Sequence, residues 1–342
     1  MRLTTFAFFA FMALGLFTNQ SFSQTIQVPT DSKFVLSIDL QVAQSTQVGS
    51  KLLMAIQESM QDEVLKAGKK ATKSIGRNSS SPSAEDAKER FSIEKLIGIL
   101  GMNPLEEIQS VVVHASDFEH PEKSMSGRIR MKKNPGNIEG LLAALPGYDS
   151  TEVGAYTIHS AKPDDSLQVF GCLHQGADGN YTFYIASNQS SLVDILKASD
   201  AATASSSLKN FELEDDRKTF LSLQFTDLTG VQVGKGPQEN IVKMLSGLTL
   251  SIAEEGEDIE FRSTLTAATT KKAEQLKQTV QGLVAMVEVF ASMDEQDEDV
   301  RAMITQVKKI KVTQDDTKLR LRWSVPSSQF VELIEEAKRD NR

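Results

Sequence analysis

Two segments of this chain align with each other without a gap at an offset of 138 residues. Residues 181–196 and residues 319–334 both begin with alternating apolar side chains, which is typical of a strand. Both then pass through a serine-rich turn that suits helix capping, and both end with apolar residues at helical spacing. The spacing of apolar residues changes from strand-like to helical at the same place in both segments. This agreement predicts that the chain contains an internal duplication.

The match continues upstream of these segments. Residues 111–115 correspond to residues 248–252, and residues 34–40 correspond to residues 220–228, with a strand pattern in each case. Short turns such as Glu254–Asp258 join neighbouring strands, and strands so close in sequence can pair only antiparallel. The sequence therefore predicts an α+β fold of two tandem β-α-β-β-α-β-β-α units, whose antiparallel sheets are covered by helices. Whether the two sheets join edge to edge stays open.

The N-terminus has the pattern of a cleavable signal peptide. Arg2 supplies positive charge, residues 6–17 form an unbroken apolar stretch, and Ser21 and Ser23 are the small residues expected before a cleavage site. The apolar stretch is short for a membrane span, which needs roughly 20 residues. We therefore expect residues 1–23 to be removed. The mature protein is predicted to be extracytoplasmic, either periplasmic or secreted, with no membrane span.

Changes in composition divide the rest of the chain. The predicted parts are a first α+β unit at residues 24–197, a connector at residues 198–217 and a second α+β unit at residues 218–342. The first unit contains an extra helix near residues 48–65 and a polar tract, about residues 69–86, that we expect to be mobile. The second unit is predicted to contain a long helix at residues 271–293 and another at residues 300–310.

Several segments carry a resemblance to a known class of proteins. They are the leader, residues 247–252 (Gly-Leu-Thr-Leu-Ser-Ile), residues 264–267 (Thr-Leu-Thr-Ala) before a helix rich in Ala, Gln and Leu, and residues 323–326 (Trp-Ser-Val-Pro). Together they resemble uncharacterised exported proteins of a kind common in planctomycete bacteria. The resemblance covers most of the second half. It implies a class and a location, and it implies no chemistry.

Charge and cysteine content limit the partners and the sources of stability. The formal net charge is −9, which does not suit the neutralisation of phosphates, so we expect no nucleic-acid partner. Cys172 is the only cysteine, so no intramolecular disulfide can form. Its apolar neighbours favour a small core residue. The alternative is a reactive thiol or a bridge between chains.

Residues with catalytic or metal-binding potential do not form a recognised motif. Cys172 and His174 share a strand face, but zinc needs further ligands at suitable spacing. The acidic run at residues 294–299 lacks the glycine and the glutamate of a calcium loop. Asp39 and Asp227 end the opening strands of the two halves and are interpreted as caps rather than general acids. We therefore assign no catalytic residue, cofactor or metal site, and we predict that the protein is not an enzyme.

One set of basic residues forms a candidate anion-binding face. Four of its members lie on the last two predicted strands, on the face opposite that of the apolar residues. The other two lie on the corresponding strand of the first half. The set is Lys309, Lys311, Arg320, Arg322, Arg128 and Arg130. A basic sheet face suits anionic polymers at a cell surface. The alternative is an ordinary solvated face balanced by neighbouring acids such as Glu260.

Three functions are compatible with these patterns. The first is a non-enzymatic exported module that binds an unknown macromolecule or envelope component, because the scaffold is duplicated without convergent polar chemistry. The second is a carrier that holds a hydrophobic ligand in a cleft between the sheet and a helix, such as the helix at residues 271–293. The third is an extracytoplasmic hydrolase whose carboxylate site no motif reveals.

Overall fold

The computed structural model describes residues 26–54, 104–118, 120–136, 138–143, 145–164, 167–200, 208–211, 218–228, 237–293 and 308–340. The predicted signal peptide, the predicted mobile tract and the acidic run lie outside the described residues. The predicted helix at residues 300–310 lies outside them except for its last three residues.

Twelve strands of the described chain form one antiparallel sheet, and two more form a separate ribbon. The strands are β1 (Ile26–Pro29), β2 (Phe34–Asp39), β3 (Ile108–Ala115), β4 (Met125–Met131), β5 (Asp149–Val153), β6 (Tyr156–Asp164), β7 (Leu167–Gln175), β8 (Tyr181–Ala186), β9 (Leu208–Phe211), β10 (Thr219–Phe225), β11 (Leu245–Glu255), β12 (Asp258–Ala267), β13 (Lys311–Asp315) and β14 (Lys318–Pro326). The order in the large sheet is β13-β14-β12-β11-β10-β2-β3-β4-β8-β7-β6-β5, and β1 pairs with β9 in the ribbon.

Helices connect and cover these strands. Those of the described chain are α1 (Leu40–Ser45), α2 (residues 47–54), α3 (Pro104–Glu107), α4 (Pro121–Ser124), α5 (Ile138–Ala143), α6 (Gln189–Asp200), α7 (Pro237–Met244), α8 (Thr270–Met293) and α9 (Ser327–Asp340). The protein is therefore a mixed α+β fold with a large antiparallel sheet, and this part of the prediction is confirmed.

The two halves of the chain meet in the middle of the sheet. We call the chain up to Asp200 the first half and the chain from β9 onward the second half. Strand β2 pairs with β10, so that Leu36 lies opposite Leu223. From this seam the strands run β3-β4-β8-β7 on one side and β11-β12-β14-β13 on the other. The question left open by the sequence is thus answered, because the strands of both halves share one sheet.

Side chains alternate between the two faces of the sheet along each strand. One face is mostly apolar, and we call the other the polar face because it carries serine, threonine and arginine side chains besides two apolar clusters. On the apolar face, helix α5 packs over the first half, and helices α8 and α9 pack over the second half. Fully buried side chains there include Ile108, Ile259 and Leu319. On the polar face, the ribbon covers the centre of the sheet, where Val28 packs against Val35 and Val112. This arrangement leaves room on the polar face for solvated side chains.

The helices that follow β8 and β14 pack on opposite faces of the sheet. Helix α6 buries Leu192 against Tyr184 on the polar face, whereas α9 places the Phe330 ring 5.3 Å from the Phe261 ring on the apolar face. Both segments have the predicted order of strand and then helix. The two helices pack on different faces because the strands before them differ. The polar face of β8 carries Tyr184 and Ala186, whereas the aligned positions of β14 carry Arg322 and Ser324. Only the first pair offers an apolar surface to a helix.

Two regular elements fall within the range predicted to be a connector. Helix α6 continues to Asp200, and β9 occupies Leu208–Phe211. Strand β9 pairs with β1, with Phe211 opposite Ile26. The sequence pattern did not predict β9 because four residues are too few to show a periodicity. Its partner strand also lies far away in the sequence.

Helix α8 lies on the sheet along its first half. Ala273 and Leu276 are fully buried and pack with Leu319, whereas Leu283 and Met286 are about half exposed. The apolar stripe predicted for this helix therefore covers the sheet at its N-terminal end. Within the described residues, no helix has both the length and the apolar character needed to cross a membrane.

Candidate functional site

A cleft opens on the polar face of the first half, between the sheet, helix α6 and the residues that follow β1. We call it the polar cleft, and its volume is about 310 Å³. Its floor contains His114 of β3 and Ser126 of β4, which lie directly opposite each other. Helix α6 contributes Asp194 and Ile195 to one wall. The cleft exists because α6 packs on the polar face and the ribbon covers only the centre of the sheet.

A smaller cavity of about 20 Å³, which we call the base, lies next to the polar cleft and shares part of its lining. The two cavities share Pro29, His114 and Ile195 as lining residues. Arg128 and Tyr184 line the base and lie opposite each other on β4 and β8. The base therefore brings a guanidinium, an imidazole and a phenol together on three adjacent strands.

Arg128 is a partly buried cation whose surroundings do little to neutralise it. In the described part of the chain, no carboxylate lies within 4 Å of its guanidinium, whereas Arg130, two residues along the same face of β4, pairs with Asp178. Burial lowers the pKa of Arg128, and the charge of Arg130 lowers it further against the opposing effect of Tyr184. Arginine nevertheless stays protonated at neutral pH. The base of the cleft thus carries a positive charge.

His114 is neutral at physiological pH. Burial lowers its pKa to about 3, and the nearby charge of Arg128 lowers it further. A neutral imidazole offers one donor and one acceptor of hydrogen bonds. His114 therefore adds polarity to the floor of the cleft without adding charge.

Hydroxyl and amide groups dominate the outer part of the polar cleft. Ser116, Ser124 and Asn188 line it together with Lys123. Asn188 caps helix α6, because the amide of Ser191 donates to its Oδ1 over 2.8 Å. The serine-rich turn recognised in the sequence thus has a capping residue at the edge of the cleft.

The basic residues predicted to form one face lie in two separate places. On the second half, Lys311 lies opposite Arg322, and Arg322 lies opposite Arg262 of β12. Arg128 and Arg130 lie on β4, six strands away from β14, which corresponds to roughly 29 Å at about 4.8 Å per strand. The structure therefore does not bring the six residues together.

Acidic residues accompany the basic residues of the second half. Arg320 lies 3.3 Å from Asp315, and Arg322 lies 4.0 Å from Glu260. Glu260 also accepts a hydrogen bond from Nε of Arg262 over 2.7 Å, and Lys309 is exposed in the turn before β13. These contacts fit the alternative of a solvated face balanced by neighbouring acids.

Cys172 and His174 lie on the same strand, β7, in different surroundings. Cys172 is buried in the core beside Ile158, so its interpretation as a core residue is confirmed. His174 is partly buried and contacts the Tyr156 ring edge-on. Among the described residues, no group of three or more histidine, cysteine, aspartate or glutamate side chains is placed to hold a metal ion.

The duplicated aspartates have different roles. Asp39 caps helix α1, since the amide of Val42 donates to its Oδ1 over 2.9 Å, and the interpretation of Asp39 as a cap is confirmed. Burial raises the pKa of Asp39 to about 6, although the backbone hydrogen bonds oppose this rise. Asp227 instead lies 3.3 Å from the ammonium of Lys33.

The sequence identified Arg128 but not the residues around it. His114, Ser126 and Tyr184 come from three strands whose register becomes visible only in the folded sheet. Asp194 belongs to a helix whose side of the sheet the sequence did not predict. The sequence shows only the alternation of apolar and polar side chains along each strand. This alternation places His114 and Arg128 at polar positions, but it does not give the register between their strands.

No family model matches the chain, and no curated protein matches it. Among solved structures, crystal form III of a protein named TP0453 is 9% identical, with 90% of this chain and 98% of that chain covered and a TM-score of 0.39. Crystal form I of the same protein is 9% identical, with coverage of 92% and 99% and a TM-score of 0.37.

Proposed function

We propose that this protein is a non-enzymatic, extracytoplasmic binding module that holds an anionic ligand in the polar cleft. The observation that carries the proposal is Arg128, a partly buried guanidinium with no carboxylate within 4 Å in the described chain. Burial of a cation is costly unless an anion accompanies it. A bound ligand with a carboxylate or phosphate group would supply that anion.

The hydrolase alternative finds less support in the same cleft. Ser126 lies directly opposite His114, which is the pair of residue types that nucleophilic catalysis uses. A general base works best when its pKa lies near the working pH, and the pKa of His114 is lowered to about 3. His114 is therefore a weak base for activating a serine. Hydrolytic activity that disappears with Ser126→Ala would favour this alternative over binding.

The carrier alternative requires an apolar space between a helix and the sheet. In the described part of α8, Leu276 and Ala273 are fully buried against Leu319. This packing leaves no gap for a hydrophobic ligand at that end of the helix. Most of the residues that line the polar cleft carry a hydroxyl or charged group, and these groups do not suit such a ligand.

The binding scaffold itself is proposed to be an internal duplication of a β-α-β-β-α-β-β-α unit. The strand orders outward from the seam, β2-β3-β4-β8-β7 and β10-β11-β12-β14-β13, correspond strand for strand and support this proposal. Strands β5 and β6 would be an insertion in the first copy. The packing of α6 and α9 on opposite faces would be a later divergence, and it would have created the cleft in one copy only.

The extracytoplasmic location rests on the leader alone. The arrangement of Arg2, the apolar stretch and the small residues at 21 and 23 is the support for export. N-terminal sequencing of the secreted or periplasmic protein would test it, with Gln24 as the expected first residue. Recovery of the intact leader in a membrane fraction would contradict the proposed location.

Anion binding is tested by thermal unfolding in the presence of acetate or inorganic phosphate. A ligand that binds only the folded state raises the melting temperature as its concentration increases. We expect this rise for the wild type and for Arg130→Met, and we expect it to be lost in Arg128→Met. Arg130 is the matched control because it lies on the same strand and face and already has Asp178 as its partner.

A second variant at the same position distinguishes loss of anion binding from loss of the fold. Arg128→Lys keeps the charge but loses the paired donors of the guanidinium, so it should show a reduced rise. Circular dichroism checks that each variant retains its fold. An undiminished rise in both Arg128 variants would contradict the proposed site.

A further inference from the structure

The polar cleft changes in chemical character from its base outward. At the base, Arg128 and Tyr184 lie opposite each other on β4 and β8. His114 and Ser126, opposite each other on β3 and β4, lie two residues further along the strands, a distance of about 7 Å. Beyond it, the hydroxyl groups of serines line the wall, including Ser116. One end of a ligand would therefore meet a cation, and the other end would meet groups that both donate and accept hydrogen bonds.

Two carboxylates line the outer part of the cleft. Asp31 and Asp194 are both exposed lining residues there, and Lys123 is a third charged group on the wall. Ionised carboxylates only accept hydrogen bonds, so they suit hydroxyl donors on a ligand and disfavour a second anionic group. The ligand is thus expected to carry its negative charge at one end and hydroxyl groups along the rest.

The lining and the volume limit the ligand further. Among the described lining residues, the apolar side chains of the outer cleft are Pro29 and Ile195, and Tyr184 is the aromatic residue at the base. An acyl chain or a large aromatic ring would displace water from Asp31, Lys123 and Asp194 without replacing its hydrogen bonds, which is costly. The volume of about 310 Å³ lies at the low end of the range for ligand pockets, roughly 300–1,000 Å³. This size suits a molecule of one sugar unit.

We infer that the polar cleft binds a small anionic polyol, a monosaccharide-sized molecule with one carboxylate or phosphate group at Arg128 and hydroxyl groups along the serine and aspartate walls. The inference rests on the proposed function, because it names the ligand class of the same site. Sugar acids and sugar phosphates share this chemistry, and the choice of probes separates the two sources.

Isothermal titration calorimetry on the purified protein tests the inference with five probes. Glucuronate and glucose 6-phosphate combine an anion with hydroxyl groups, acetate and inorganic phosphate supply the anion alone, and glucose supplies the hydroxyl groups alone. We expect one of the two combined probes to bind about tenfold or more tightly than each of the three simple probes. Such a factor corresponds to one or two additional hydrogen bonds. The tighter combined probe identifies the anionic group as carboxylate or phosphate.

Two variants assign the contributions to the two ends of the cleft. Arg128→Met should weaken the combined probe and its simple anion alike. Asp194→Asn should weaken the combined probe about fivefold without weakening the simple anion, because one of the two oxygens that accept from a ligand hydroxyl group is replaced by a donor. Asp149→Asn is the matched control, since Asp149 is an exposed carboxylate on the edge strand β5 and is not a lining residue of the cleft.

The outcomes separate this inference from the proposed function. If acetate or phosphate binds as tightly as its hydroxylated counterpart, the polyol inference is wrong and the anion site stands. If glucose binds as tightly as glucuronate and Arg128→Met changes neither, the anion site is wrong as well. Failure of all five probes to bind overturns both.

Discussion

Glu254 provides a sharp test of how the two halves are held together. It is buried on β11 of the second half, and its carboxylate accepts hydrogen bonds from the amides of Gln47 (3.0 Å) and Val48 (2.8 Å) at the start of helix α2. The next amide, that of Gly49, donates to Oγ1 of Thr46 over 3.2 Å. The free N–H groups at the start of α2 are thus satisfied by one carboxylate and one hydroxyl group. We expect Glu254→Ala to break this connection between the halves.

The magnitude follows from the two amides. The amide of Val48 is buried and would lose its partner at a cost of about 1–3 kcal/mol. Gln47 is exposed, so water replaces most of its lost bond, and the favourable interaction of the carboxylate with the helix N-terminus, about 0.3–1 kcal/mol, is lost too. We expect Glu254→Ala to reduce the free energy of unfolding by about 1–4 kcal/mol.

Urea unfolding measures this change through the shift in midpoint at constant slope. Glu254→Gln, which keeps one acceptor oxygen, should lose about half as much free energy of unfolding. The matched control is Glu257→Ala, an exposed glutamate in the turn after β11, which should change stability by less than about 0.5 kcal/mol. A Glu254→Ala protein as stable as the Glu257→Ala protein would refute the reasoning.

Three further substitutions test the local packing and the titration of buried groups. The pKa of Asp39 is about 6 in the folded protein and 3.8 when unperturbed. Its contribution to stability is therefore present below pH 3.8 and lost as the pH rises through 6. Asp39→Asn should remove up to about 3 kcal/mol of this pH dependence, which urea unfolding from pH 4 to pH 7 measures. Gly171→Ala would place a Cβ 2.7 Å from Cζ of Phe183 and should destabilise by about 1–3 kcal/mol in the same assay. Gly282→Ala meets no atom within 4 Å and should raise the melting temperature, by removing a helix penalty of about 1 kcal/mol.

The sequence predicts strands and helices well where their periodicity is local. The strand patterns at residues 34–40 and 181–186 correspond to β2 and β8, and the helix expected at residues 271–293 corresponds to α8. The α+β class with antiparallel pairing follows from these elements and from the short turns between them. Local pattern is sufficient there because each element and its turn are adjacent in the chain.

The site depends on relations that local pattern does not contain. The side of the sheet on which α6 packs is decided by the pairing of β7 with β8, which places Cys172 beside Tyr184 and creates an apolar surface on the polar face. The seam between β2 and β10 joins residues more than 180 positions apart. Arg128 and His114 are close in sequence, but their placement in neighbouring rows depends on the register between β3 and β4, which is irregular near Ile108 and Ser110. The sequence could therefore propose basic residues but could not assemble them into a cleft.

The seam also predicts how the protein unfolds. One core cluster contains Val42 and Val48 of the first half together with Phe220, Ile259 and Val325 of the second half. Separation of the halves would expose this cluster and leave the facing edges of β2 and β10 without partners. Because neither half can lose the seam without exposing its own core, we expect the halves to unfold in one cooperative transition.

The distribution of aromatic residues makes this expectation measurable. Trp323 is the only tryptophan and lies in the second half, whereas the four tyrosines, Tyr148, Tyr156, Tyr181 and Tyr184, all lie in the first half. Tryptophan fluorescence and tyrosine absorbance should therefore give the same urea midpoint, and Glu254→Ala should lower both midpoints together. A tryptophan transition that is complete while the tyrosine signal is still native would mean that the halves unfold independently. In that case the shared core would not couple them, and the continuous sheet would be two units in contact.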